Sequence, residues 1–170
     1  SKGVREFVEA AKLIKKYSKK ARFVIVGSPD PLNPESINQA ELDLWEKQGI
    51  ELWGYRDDMN SVLSLSTIVV LPSYYGEGLP KVLIEAAACG RPIVTTDHPG
   101  CRDAILNGVT GILVPIRNIK ALVDSISALL DNPELCKEMG IAGRSWAEKK
   151  FDIREVVSQH ISIYENLIEK

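Results

Sequence analysis

The sequence has little cysteine and no paired cysteine motif. Cys89, Cys101 and Cys136 are three in number and widely scattered, which excludes a disulfide framework and suits a reducing compartment. It also lacks an excess of basic charge. Twenty-one Lys and Arg against 23 Asp and Glu leave a net charge of −2, whereas a dedicated nucleic-acid binder presents a strongly basic face; no nucleic-acid partner is expected. No apolar run approaches the ~18–20 residues of a membrane-spanning helix. Only two histidines are present, His98 and His160; they stand far apart without an acidic third ligand at helical spacing, so zinc is not expected. Repeats, low-complexity tracts and linkers are missing too. The chain opens Ser1-Lys2-Gly3, with neither an initiator Met nor a signal peptide, and the expectation is a piece of a longer protein. What remains is 170 residues, 45% hydrophobic and 26% charged. That is enough for one domain over 1–170 that buries roughly 70% of its unfolded surface.

Periodicity supplies the architecture. Val4, Phe7, Val8, Ala11, Ile14 and Tyr17 recur at helical spacing. Arg22 to Gly27 reads as a buried strand. A proline-rich loop follows, then a helix capped at Ser36 and stopped at Gly49. The alternation continues with a strand at 51–54, a helix at 59–65, a strand at 67–72, a helix at 81–89 closed by Gly90, and a strand at 92–97. After the short run Ile112-Leu113-Val114 the chain reads as helical from Asn118 onward. Pro133 opens a second helix, and Asp152 caps a closing third over 152–170. Strands apolar on both faces, separated by helices, predict an α/β, Rossmann-like doubly wound parallel sheet with helices on both faces and a helical C-terminal third. Ligands of such sheets bind beyond the carboxyl ends of the strands.

The segment Pro72-Ser73-Tyr74-Tyr75-Gly76-Glu77-Gly78-Leu79-Pro80-Lys81-Val82-Leu83-Ile84-Glu85 is the most informative. A strand ends at Pro72, a glycine-containing loop follows, and a helix begins at Leu79 or Pro80, at the ligand-binding edge. Its free N–H groups and positive dipole end suit an anion, and Gly76 and Gly78 permit close approach of a phosphate. Glu77 on the loop and Glu85 about two turns into the helix flank that position. A carboxylate accepts two hydrogen bonds side by side, which fits vicinal sugar hydroxyls. Diphosphate at the helix start with a polyol on each side describes a nucleotide sugar. Each residue also has a plainer reading: Glu77 as a first-turn acid, Glu85 as a solvated helix residue, the glycines as a turn.

Glu77 and Glu85 resemble the E-x7-E motif of the family-4 retaining glycosyltransferases, the "group 1" family of GT-B architecture. The similarity extends through Glu85–Val94 and through Asn107-Gly108-Val109-Thr110-Gly111-Ile112-Leu113-Val114-Pro115, and includes Gly54-Tyr55-Arg56 and Val69-Val70-Leu71-Pro72-Ser73. It covers most of the chain. The resemblance implies that Glu77 contacts donor-sugar hydroxyls as the catalytic carboxylate and that Glu85 grips the ribose diol. It implies that Lys2 binds phosphate with Lys81 as a second charge, and that Arg56 meets the base through its main chain. Gly78, Leu79, Pro80 and Val82 would line the donor, although Pro80 has no N–H to give. It also implies what is missing: a first strand ending in Gly-Arg, central to the sheet, and an N-terminal acceptor domain. The chain is then the donor-binding half of an enzyme that moves a sugar from a nucleotide diphosphate to a hydroxyl acceptor with retention, by itself inactive. Expected partners are the nucleotide-sugar donor, the missing N-terminal domain and a lipid-linked or glycan acceptor; the expected process is bacterial polysaccharide or glycolipid synthesis.

There is no D-x-D pair, so no metal and no other cofactor is expected. The expected location is cytoplasmic, with peripheral contact at the inner membrane face as an extension. The basic run Lys12, Lys15, Lys16, Lys19, Lys20 and Arg22 reads either as a solvated helix end or as a contact for anionic lipid. His98-Pro99-Gly100-Cys101-Arg102-Asp103 is a turn that resembles an acceptor loop of transferases using lipid-linked acceptors, in which Arg102 would meet a phosphate. Two other functions compete: a non-catalytic nucleotide-binding or regulatory module, for which Gly76-x-Gly78-x-x-Lys81 lacks the third glycine of a dinucleotide fingerprint, and a nucleotide-sugar epimerase.

Overall fold

The structure is a computed structural model that describes residues 2–18, 20–30, 32–33, 36–76, 78–152, 154, 157–158, 161–162 and 164. Its elements are α1 (Val4–Lys15), β1 (Val24–Ile25), α2 (Gln39–Lys47), β2 (Glu51–Leu52), α3 (Met59–Leu65), β3 (Val69–Leu71), α4 (Lys81–Ala88), β4 (Ile93–Thr96), β5 (Gly111–Val114), α5 (Ile119–Leu130) and α6 (Pro133–Lys150). One 3-10 turn, Arg102–Ala104, lies between β4 and β5. All strand pairing is parallel, as strands separated by helices require.

The strands form two sheets, β1–β2 and β3–β4–β5. Among the described residues no ladder joins β1 to β3. Glu51 N–H donates to Phe23 O and Trp53 N–H to Ile25 O, so β1 spends one edge on β2. Alternation turns the backbone polar groups of Val24 to the other edge. Strands 1, 2 and 3 are half-exposed, whereas all four residues of β4 are buried.

One strand divides the core into two layers. Val94 on β4 joins Val8, Ala11 and Ile14 of α1 with Leu122, Ile126 and Leu129 of α5. Its neighbour Ile93 points the other way, into a cluster with Leu83, Ala86 and Ala87 of α4 and Ala147 of α6. Each fully buried Leu or Ile contributes about 1.5–3 kcal/mol. The first layer holds residues of both sheets, Ile25 and Leu52 beside Val70, Val94 and Ile112, so the two sheets share it despite their separate ladders. On the second layer α4 and α6 meet through glycine: a Cβ on Gly140 would stand 2.2 Å from Gly90 O.

Helix starts follow their caps. For α2 the cap is Asn38, two residues beyond the expected Ser36: Glu41 N–H donates to Asn38 Oδ1 at 2.9 Å, and Asn38 N–H to Glu41 Oε2 at 3.1 Å. Asn118 caps α5 by accepting from Ala121 N–H, Asn132 caps α6 by accepting from Leu135 N–H, and Pro133 occupies the first turn of α6 as read from the sequence. Asp152 accepts from Arg154 N–H, the geometry of a cap. Most of the expected closing helix, including His160, lies outside the described residues. The basic run is partly spent on neighbours: Lys12 pairs with Glu9, Lys15 donates to Gly49 O, and Arg22 makes two bonds to Glu51. Lys19 lies outside the described residues.

Candidate functional site

The chain leaves β3 through buried Pro72 and Ser73. Two threonines of β4 fix that exit: Thr95 Oγ1 donates to Leu71 O at 2.7 Å, and Thr96 Oγ1 donates to Ser73 O. Tyr75, Gly76, Gly78 and Leu79 then run exposed along the carboxyl edge of the sheet until Pro80 returns to the interior. Glu77 lies outside the described residues.

Pro80 caps α4 with φ −66° and ψ 119°; the helix proper starts at Lys81, one residue later than the latest expected start. Pro80 offers no side-chain acceptor, so the first-turn N–H groups of Lys81 and Val82 are not spent on a cap. Leu83 N–H closes the turn onto Pro80 O at 3.0 Å. No acidic residue sits in the first turn of α4, so among the described residues of that turn none competes with an incoming anion for the positive helix end.

Glu85 stands one turn further on. Its side chain is 26% exposed, on a helix whose Leu83, Ala86 and Ala87 are buried. Lys81 Nζ lies 3.2 Å from Glu85 Oε1, with the lysine side chain 87% exposed. That spacing is the i, i+4 pairing of a helix face, of modest strength at a surface. The lysine therefore stands beside the carboxylate and beside the helix start. Val82 is half-buried between them, and Leu79 forms part of the rim of a cavity of about 490 Å³ shared with Arg102, Ile105 and Trp146.

Gly3 explains why Lys2 belongs to the same edge. It caps α1 with φ 75°, and a Cβ there would stand 2.1 Å from Pro72 O. Only glycine allows α1 to begin against the loop that leaves β3, and this close contact carries Lys2 to the start of that loop. Arg56 is placed apart. It follows β2, and its guanidinium makes two bonds to Asp58, at 2.7 and 2.6 Å. That pairing holds the Asp58 carboxyl below its ordinary value. Among the described residues no hydrogen bond or ion pair joins Arg56 to α4.

The turn at 98–103 is closed on itself. His98 N–H donates to Thr96 O, Arg102 N–H donates to His98 O, and Arg102 Nε is 2.5 Å from Asp97 Oδ1. Burial pushes the Cys136 thiol up, and all three cysteines are free thiols. Among the described residues no group of three or more His, Cys, Asp or Glu could hold a metal ion. Likewise no described helix is long and apolar enough to cross a membrane.

Sequence reasoning missed two features. The threonine bonds from β4 fix the start of the loop, and Arg117, in the turn between β5 and α5, lies with its guanidinium carbon 4.4 Å from the Tyr74 ring centroid. Nothing local in the sequence links position 74 to position 117.

The family described as glycosyl transferases group 1 matches residues 1–132. The chain is 34% identical over 168 residues, 98% of its length, to the N,N'-diacetylbacillosaminyl-diphospho-undecaprenol alpha-1,3-N-acetylgalactosaminyltransferase of Campylobacter jejuni, and spans 42% of that relative. Sucrose-phosphate synthase from Thermosynechococcus elongatus superposes with a TM-score of 0.85 at 26% identity, over 99% of this chain and 43% of its own. A variant of TarM from S. aureus, solved in complex with Fondaparinux, alpha-GlcNAc-glycerol and UDP, superposes with a TM-score of 0.85 at 25% identity, over 96% of this chain and 33% of its own.

Proposed function

This chain belongs to the glycosyl transferases group 1 family, and from that premise we propose that it is the nucleotide-sugar-binding half of a retaining glycosyltransferase. One observation carries the reading. The first turn of α4 opens at the carboxyl edge of the sheet with no acid and no capping side chain, and Glu85 follows on the same helix, part-exposed and accompanied by Lys81. The helix start and the Lys2 ammonium supply positive charge for a diphosphate. Glu85 accepts from two vicinal hydroxyls of the ribose, Glu77 takes the donor sugar as the catalytic carboxylate, and the main chain at Gly78, Leu79 and Val82 lines the diphosphate and sugar. The main chain near Arg56 meets the base. The Arg56 side chain, occupied by Asp58, has no part in this.

In the transfer, the anomeric C–O bond to the diphosphate breaks, a bond to the acceptor oxygen forms, and the hydroxyl proton is released. Departure of the diphosphate is the hard step, and charge aimed at it from the α4 start and Lys2 lowers the barrier. A metal is not needed for this charge balance. The acceptor binds on a further N-terminal domain; the relatives, more than twice as long as this chain, support that reading. A lipid-linked acceptor at the inner face of a membrane, reached by a cytoplasmic enzyme, fits the diphospho-undecaprenol in the name of the C. jejuni relative. Bound UDP in the TarM structure supports a nucleoside diphosphate as the ligand class.

Calorimetric titration with UDP, GDP, ADP and NAD tests the proposal. At least one nucleoside diphosphate is expected to bind, and Glu85→Gln to weaken it about 10- to 100-fold, as loss of charged hydrogen bonds to a diol implies. NAD binding without nucleoside diphosphate binding would refute it.

A further inference from the structure

Arg117 is the single non-glycine residue with positive φ, 56°, among the described residues. A side chain in the left-handed region crowds its own backbone, and glycine fills such positions without that penalty. The turn itself has a purpose. Asn118 N–H reaches back to Pro115 O, and the reversal delivers the Asn118 side chain to the α5 cap. A glycine would serve that turn better. What arginine adds is a guanidinium on the face of Tyr74.

Tyr74 stands at a consequential point. On its N-terminal side, Ser73 is fully buried and its carbonyl is held by Thr96. On its C-terminal side Tyr75, Gly76, Gly78 and Leu79 are exposed before Pro80. Among the described residues, Tyr74 is thus the last with a polar or cation–π side-chain contact before α4 opens. Arg5, in the first turn of α1, has its guanidinium bound to Glu41 at 2.7 and 3.0 Å. Arg117 approaches from the N-terminal side of α5. Strain retained at a residue whose side chain reaches a site loop is the pattern of a functional constraint.

We propose that Arg117 is a positioning residue: stacked on Tyr74, it holds the exit from β3 at Ser73–Tyr74 in the geometry from which α4 presents its first-turn N–H groups. The ligand consequence rests on the donor-site reading above; the hold on the exit does not. No contact between Arg117 and the ligand is required.

The test compares Arg117→Gly, Arg117→Lys and Tyr74→Leu with the unaltered chain by three readouts: melting temperature, amide hydrogen exchange over residues 74–80, and UDP affinity. Arg117→Gly relieves the backbone, so its melting temperature is expected to stay level or rise. Exchange in the loop should nevertheless quicken, and UDP affinity fall, by about two- to five-fold, the range of one exposed cation–π contact. Arg117→Lys should retain part of the effect. In the Tyr74→Leu background, Arg117→Gly should change neither exchange nor affinity further. Unchanged loop exchange in Arg117→Gly overturns the proposal, as does a full effect in the Tyr74→Leu background or an affinity loss that tracks a fall in melting temperature. If the unaltered chain binds no UDP, the donor-site reading fails, and the exchange measurement still decides the role of Arg117.

Discussion

The β1–β2 half and the β3–β4–β5 half of this molecule share a packed layer and differ in how deeply their strands are buried. In the second half, β4 is buried along its whole length, Leu83 and Leu129 are fully enclosed, and α4 meets α6 through Gly90 and Gly140. In the first, two-residue strands are half-exposed, and guanidinium–carboxylate pairs at the surface, Arg5–Glu41 and Arg22–Glu51, tie the elements together. The candidate site stands on the second, more deeply buried half. Helix α4 and the threonine-braced exit of β3 belong to the well-packed half, which suits a site that must hold a helix terminus steady against a ligand's charge.

Core truncation separates the halves most strongly. Leu83→Ala should cost about 2–5 kcal/mol in urea unfolding, whereas Leu52→Ala, at a half-exposed strand position, should cost less than about 2 kcal/mol. Equal costs would break the comparison. Ligand binding divides the same way: Glu85→Gln should weaken nucleoside diphosphate binding at least about ten-fold, while Arg56→Ala, whose side chain is committed to Asp58, should change it less than about two-fold by calorimetry.

Helix caps give a smaller effect of about 1 kcal/mol each, and hydrogen exchange locates it. Asn118→Ala should raise exchange in α5 and, through the shared core, globally. Asn38→Ala should raise it in α2 and β2 alone. The smallest effect is set by pH. Arg22 and Trp53 bonds hold the Glu51 carboxyl down at about 2, against an ordinary value of 4.5. Because the folded value is depressed, the stabilisation is present above about pH 4.5 and is lost as pH falls toward 2. Both partners are substantially solvent-exposed, so salt screens the contribution. Glu51→Gln should flatten the acid limb of the melting temperature, and a limb of unchanged slope would remove this pair from the account.

The legible parts of the fold are those in which local chemistry and packing agree. Met59–Leu65, the helix that begins at Asn118 and the proline opening α6 stand where the sequence places them. The α2 start was misplaced because Ser36 and Asn38 both suit a cap. The Asn38–Glu41 spacing of a capping box decides between them, and that signal was in the sequence. The short strands β1 and β2 fall inside longer apolar runs; a strand with one paired edge keeps fewer ladder bonds than its composition allows. In the site, Glu85 and the uncapped α4 start follow from local pattern, as does the Lys81–Glu85 pair at i, i+4. The Arg117–Tyr74 contact does not, because only the tertiary fold brings the turn after β5 to the loop after β3.

The central claim is that the start of α4 receives a nucleoside diphosphate. Amide chemical shifts of the isotope-labelled chain, followed by NMR during addition of UDP, test it most directly. The account predicts saturable shifts centred on Gly78, Leu79, Val82 and Glu85, extending to Lys2 and Gly3 at the start of α1. Shifts centred elsewhere on the molecule, or none with any nucleoside diphosphate, would contradict it.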